Sequence, residues 1–82
     1  MNKMRRINLT SETGDVNTAL SLVEKESTKE GGRFYLANKN NSFLSLNYKP
    51  VPKTARWTLS NGDTLTLGEN DYNVEIVEER SL

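Results

Sequence analysis

The chain has 82 residues, of which 11 are basic and 11 acidic, and it contains neither cysteine nor histidine. A chain of this length forms a single domain, here residues 1–82, and its apolar share of 34% predicts a thin core. The missing cysteines exclude disulfides and thiolate zinc sites, and the missing histidines remove the commonest general base and metal ligand. We therefore expect no cofactor, no metal and no enzymatic activity.

The start of the chain is basic, as in a signal peptide, but no apolar stretch of about 7–15 residues follows it. No apolar run reaches the roughly 18 residues that a membrane span needs. The lack of cysteine favours a reducing compartment. The sequence therefore predicts a cytoplasmic protein that does not contact membranes.

The N-terminal segment has two interpretations. Residues 4–10 alternate, with Ile7 and Leu9 on one face, which is typical of a short edge strand. Alternatively, residues 1–12 form a frayed arm.

One amphipathic helix is predicted next, over about 15–29. Asp15 is its N-cap, and the pair Gly31 and Gly32 is expected to end it. The apolar residues of one helical face are Val16, Ala19, Leu20 and Val23. This stripe predicts packing on a sheet, and a homodimer contact is the alternative.

From residue 33 onward the apolar period changes to two. The first pair of runs predicts a hairpin with Leu36 opposite Leu44, Phe34 opposite Leu46 and residues 39–41 at its tip. Tyr48 continues the inward-facing alternation of the second run.

The C-terminal third predicts a three-stranded meander over 55–78. Segment 49–53 contains two prolines, so it is read as an extended connection and not as a central strand. In the meander, Ser60-Asn61-Gly62 forms a turn with Gly62 in the left-handed conformation. The pairs that keep the apolar residues on one face are Trp57 with Leu65, Leu67 with Tyr72, and Leu65 with Val74.

These elements together predict an α+β fold. It has one N-terminal helix and a five- or six-stranded antiparallel sheet, or a small, partly open barrel.

The charges are divided along the chain although they sum to zero. Segment 33–57 holds five bases and no acid, whereas residues 63–82 hold six acids and one base. Five of the six aromatic residues also lie in the basic segment. Such asymmetry predicts a surface for an oppositely charged partner.

The candidate contact surface combines bases with outward-facing aromatics, because Tyr35 and Phe43 have the parity opposite to the apolar strand positions. Its residues are Arg33, Tyr35, Phe43, Lys49, Lys53 and Arg56. The function favoured is a non-enzymatic protein-interaction module, such as an accessory or inhibitory regulator. The alternative is single-stranded DNA or RNA binding on the same face. A third interpretation is purely structural, with the bases paired to acids on a neighbouring strand.

The acidic tail around Glu75, Glu78 and Glu79 also has two interpretations. The acids could contact a basic partner or mimic phosphate. Alternatively, they protect a solvated edge strand against edge-to-edge pairing.

Overall fold

The computed structural model describes residues 3–39, 44–53 and 55–80. Within these residues the chain forms one helix and eight strands, and every strand pairing is antiparallel. The elements are β1 (Lys3–Thr10), α1 (Val16–Glu26), β2 (Ser27–Glu30), β3 (Arg33–Ala37), β4 (Leu44–Leu46), β5 (Lys49–Pro50), β6 (Arg56–Leu59), β7 (Thr64–Leu67) and β8 (Asn70–Arg80).

The strands form two sheets. The five-stranded sheet has the order β1-β8-β7-β4-β5, and the three-stranded sheet has the order β2-β3-β6. The helix contacts β1, β2 and β3. The predicted α+β class is therefore confirmed, and within the described residues the sheets do not close into a barrel.

One apolar core is shared by the helix and both sheets. Burying alternate residues of each strand against the helical stripe removes their apolar surface from water. The core residues are Ile7, Leu9, Ala19, Val23, Phe34, Leu36, Leu44, Leu46, Val51, Leu59, Leu65, Tyr72 and Val74. At the N-terminus, Ile7 and Leu9 lie in β1, an edge strand, as the strand interpretation expects.

The helix begins where predicted but ends earlier. The Asp15 carboxylate accepts hydrogen bonds from the backbone N–H groups of Asn17 and Thr18, which satisfies donors that the first turn leaves unpaired. The prediction that the helix continues to residue 29 is wrong, because Ser27–Glu30 pairs with β3.

The two glycines after β2 form a hairpin turn and do not end the helix. Gly31 and Gly32 have φ values of 58° and 77°, and Glu30 lies directly opposite Arg33. Two successive positive φ values are what a two-residue hairpin turn requires. Pairing with β3 therefore outweighs the helical preference of the preceding residues.

The last helical residue supports the segment after β3. Glu26 is fully buried, and its carboxylate accepts a hydrogen bond of 2.6 Å from the backbone N–H of Lys39. The Asn38 side chain is also buried and donates to the carbonyl of Val51. The first contact joins the segment after β3 to the end of the helix, and the second joins it to the chain that follows β5.

The predicted hairpin between Phe34 and Leu46 is wrong. Phe34 lies opposite Leu59 in the three-stranded sheet, whereas Leu46 lies opposite Leu65 in the other sheet. Its predicted tip is described only at Lys39, since residues 40–43 lie outside the described part of the chain. The alternation correctly predicted which side chains are buried but not their neighbours.

The predicted meander is correct only in its second half. Trp57 pairs with Leu36 and not with Leu65, because β6 belongs to the three-stranded sheet. The hairpin of β7 and β8 is present, but its register is two residues tighter, with Leu65 opposite Tyr72 and Leu67 opposite Asn70. A shift of two residues preserves the buried face. Gly62 has the expected positive φ, at 91°.

The proline-containing segment forms an edge, as its missing amide donors require. Lys49 and Pro50 form the two-residue strand β5 at the end of the five-stranded sheet. Asn47 and Tyr48 are the turn that precedes it, with φ values of 50° and 65°. The prediction that Tyr48 faces inward is wrong, since its surface is 70% exposed.

Candidate interaction surface

The outer face of the three-stranded sheet carries three of the predicted contact residues. Phe34 and Leu36 are buried, so the alternate positions Arg33 and Tyr35 point away from the core. On the neighbouring strand, Arg56 lies opposite Ala37 and shares this parity. We call Arg33, Tyr35 and Arg56, together with Glu30, the outer-face cluster.

Within this cluster an arginine is stacked on an aromatic ring. The Arg56 guanidinium lies 4.2 Å from the centre of the Tyr35 ring. It also forms an ion pair with the carboxylate of Glu30, and both of these side chains are about half exposed. An exposed cation–π contact contributes about 0.5–1 kcal/mol, enough to bias the position of a long side chain. The sheet therefore presents the tyrosine and the arginine as one ordered unit.

The other predicted contact residues lie elsewhere. Lys49 is exposed on the edge strand of the five-stranded sheet, and Lys53 is exposed in the connection to β6. Phe43 lies outside the described residues. The structure thus brings Arg33, Tyr35 and Arg56 together on the three-stranded sheet. Lys49 and Lys53 lie outside that sheet.

The acidic tail is matched by the N-terminal strand. β8 lies between β1 and β7, so the interpretation of the tail as an edge strand is wrong. The Arg5 guanidinium lies 2.9 Å from the Glu78 carboxylate, and the Asn8 amide donates to Glu75 over 3.0 Å. Opposite charges on adjacent strands stabilise the pairing modestly. The tail acids therefore have basic and polar neighbours within the fold.

The basic segment has few such neighbours. Among the described residues, Arg56 is the one base of segment 33–57 that forms an ion pair. The side chains of Arg33, Lys49 and Lys53 form no hydrogen bond or ion pair within the described part of the chain. If these bases were purely structural, their strands would pair with the acidic strand β8. It is β1 that pairs with β8 instead.

Tyr48 is an exposed aromatic that the sequence interpretation missed. Its hydroxyl donates to the Asp71 carboxylate over 3.1 Å, and the same carboxylate accepts from the Thr66 hydroxyl over 2.7 Å. The hydrogen bond to Asp71 raises the pKa of Tyr48 above its usual value of 10.0. The signal that could have located Tyr48 is the Asn47-Tyr48 pair, since asparagine is common in two-residue hairpin turns.

Among the described residues, no group of three or more acidic side chains is arranged to hold a metal ion. The helix that the structure describes is too short and too polar to cross a bilayer. No family model, curated protein or solved structure matches this chain.

Proposed function

We propose that this protein is a small, non-enzymatic interaction module that binds an acidic surface of another protein through the outer-face cluster. It would act as a cytoplasmic accessory or inhibitory regulator by occupying that surface. The observation that carries the proposal is the stacking of Arg56 on Tyr35 beside Arg33 on one exposed sheet face.

Tyrosine and arginine suit this role for physical reasons. Both are enriched where interfaces contribute most binding energy, because they combine apolar area with directional hydrogen bonding. A side chain that is already positioned loses less entropy when it binds. The contacts of Arg56 with Tyr35 and Glu30 supply that positioning before the partner arrives.

The charge of the surface supports an acidic partner. Residues 34–62 contain no Asp or Glu, and the Arg33 side chain has no ion pair within the described residues. Two acids of β8 are already bound to β1, since Glu78 forms an ion pair with Arg5 and Glu75 accepts from Asn8. Complementary charge on a partner would mainly accelerate association and improve specificity.

A protein partner is favoured over single-stranded nucleic acid by the stacking itself. A base that stacks on Tyr35 would have to replace the guanidinium of Arg56, which lies over that ring. A carboxylate of a partner protein can instead bind the exposed edge of the guanidinium and leave the stack intact.

The test is a pull-down from the source organism's lysate with tagged wild-type protein and a Tyr35→Ala/Arg56→Ala variant. The matched control is Tyr48→Ala/Lys25→Ala, which removes one exposed tyrosine and one exposed base outside the three-stranded sheet. Circular dichroism first establishes that all three proteins are folded.

We expect a discrete protein that survives nuclease treatment, is retained by the control and is lost with the Tyr35→Ala/Arg56→Ala variant. Equal capture by both variants would refute the assignment of this face. Capture that disappears with nuclease would show instead that the chain binds nucleic acid.

A further inference from the structure

The edges of the two sheets face each other across an opening beside β1. β1 is the outer strand of the five-stranded sheet and β2 is an outer strand of the three-stranded sheet, and no backbone pairing joins them. Side chains bridge the gap instead. Lys29 Nζ donates to the Arg5 carbonyl, and Arg5 Nη1 donates to the Gly32 carbonyl, each over 3.1 Å.

The direction of the Arg5 carbonyl shows which backbone groups of β1 are unpaired. Successive residues of a strand direct their N–H and C=O groups to opposite sides. Since the Arg5 carbonyl points to Lys29, the backbone groups of Arg5 and Ile7 face away from β8, whereas those of Arg6 and Asn8 face it.

The contacts of β8 lead independently to the same alternation. The N–H groups of Val74 and Ile76 donate to Asp63 and Asn61, on the side away from β1. Ile76 lies directly opposite Ile7, and in an antiparallel pair two opposite residues either bond to each other or both face away. The N–H and C=O of Ile7 therefore have no ladder partner among the described residues.

The opening beside this edge is an apolar groove with a basic rim. Its volume is about 390 Å³ beside β1, and a second cleft of about 510 Å³ adjoins it through Arg5 and Phe34. Apolar side chains from both sheets and the helix form the floor, namely Ile7, Leu20, Phe34, Leu59 and Ile76. The rim carries the bases Arg5, Arg6, Lys29 and Arg33 and the acids Glu24 and Glu78. We call this feature the β1 edge groove.

We propose that the β1 edge groove binds an extended peptide segment that combines apolar and acidic side chains, which adds to β1 as a further strand. Backbone hydrogen bonds to Ile7 would supply affinity, and the apolar floor and basic rim would select the side chains. This site shares Arg33 with the outer-face cluster but does not include Tyr35 or Arg56, and neither proposal requires the other.

The chain already contains one segment with this chemistry on the opposite edge of β1. In β8, Ile76 lies opposite Ile7 and Glu78 lies opposite Arg5. Lys29 covers the free edge in the unbound protein, as lysines commonly do on edge strands, and would release the Arg5 carbonyl to the peptide.

The probe is a synthetic peptide with the sequence of residues 73–79, Asn-Val-Glu-Ile-Val-Glu-Glu. A control peptide has lysine at its three glutamate positions. Backbone amide exchange is followed by NMR in the free protein and in titrations with each peptide. In the free protein we expect the Ile7 amide to exchange faster than those of Arg6 and Asn8, because only the latter two face β8.

On binding, we expect the Ile7 amide to become protected while the Asn8 amide stays protected. The control peptide should bind the wild-type protein about tenfold more weakly than the acidic peptide does, because its lysines would lie beside the basic rim. The acidic peptide should bind the Lys29→Glu variant about tenfold more weakly than it binds the wild type, because acids would then lie together. Lys53→Glu carries the same charge change outside the groove and should retain binding. These readouts do not involve Tyr35 or Arg56, so they are independent of the pull-down.

Three outcomes would overturn the proposal. The first is an Ile7 amide that is already protected in the free protein. The second is equal binding of the acidic and basic peptides. The third is loss of protection at the amide of Val77, which lies opposite Arg6 in β8, because a peptide that displaces β8 would free this amide from β1.

Discussion

Substitution of Gly14 by alanine should destabilise the fold through a collision with Tyr72. A Cβ atom built on Gly14 would lie 2.7 Å from Tyr72 Cε2 and closer still to Cζ and the hydroxyl oxygen. Non-bonded carbon atoms prefer separations of about 3.5–4.0 Å, so the ring has to move by about 1 Å or more. Tyr72 is buried in the core and has little room to do so.

The magnitude follows from the cost of overpacking. Forcing a buried side chain out of its place costs about 1–3 kcal/mol. For a domain of this size each kcal/mol lowers Tm by about 4–8 °C, so we expect Gly14→Ala to lower Tm by about 4–24 °C. Backbone strain makes no contribution, because Gly14 lies outside the left-handed region.

A double-mutant cycle separates this collision from other effects. Tyr72→Leu removes the ring atoms that the new Cβ would meet, so Gly14→Ala should cost less than about 0.5 kcal/mol in that background. The difference between its costs in the two backgrounds is the coupling energy, which is expected to be in the range typical of contacting residues. Urea unfolding followed by circular dichroism measures all four proteins. An equal cost of Gly14→Ala in both backgrounds would refute the reasoning, as would a negligible cost in the wild type.

Two further predictions concern single side chains. The Thr18 hydroxyl, followed by backbone N–H groups, lowers the pKa of Asp15 below its ordinary 3.8. The ionised Asp15 carboxylate therefore stabilises the fold fully above pH 3.8, and this stabilisation is lost as pH falls through the lower folded pKa. In acid, Tm should fall more steeply with decreasing pH for the wild type than for Asp15→Asn. Tyr48→Gly should raise Tm by a few degrees, because glycine adopts the positive φ without a steric penalty, whereas Tyr48→Phe should lower it slightly by removing the bond to Asp71. Thermal unfolding checks both, and a lower Tm for Tyr48→Gly than for wild type would contradict the argument from strain.

Of the candidate contact surface, parity alone predicted that Tyr35 faces outward, and the structure places it half-buried on the outer face with Arg33 and Arg56. The stacking of Arg56 on Tyr35 could not be predicted, because it depends on β6 lying beside β3. The sequence interpretation grouped Lys49 and Lys53 with these residues because all are basic and close in sequence. Proximity in sequence does not determine the sheet to which a strand belongs.

The sequence by itself determined the local features of this protein. The Asp15 cap, the start of the helix, the left-handed Gly62 and the buried parity of Phe34, Leu36 and Leu65 all follow from side-chain chemistry and from periods of 3.6 and two. These properties depend on each residue and its near neighbours in the chain.

Apart from the hairpin of β7 and β8, only the tertiary structure decided which strands pair. A period of two specifies the face that a side chain occupies and leaves the neighbouring strand open. The longest pairing joins β1 to β8 across almost the whole chain, and it brings the basic N-terminus beside the acidic tail. Such contacts depend on how two sheets and a helix can bury all their apolar faces together, which is a property of the whole chain and of no single segment.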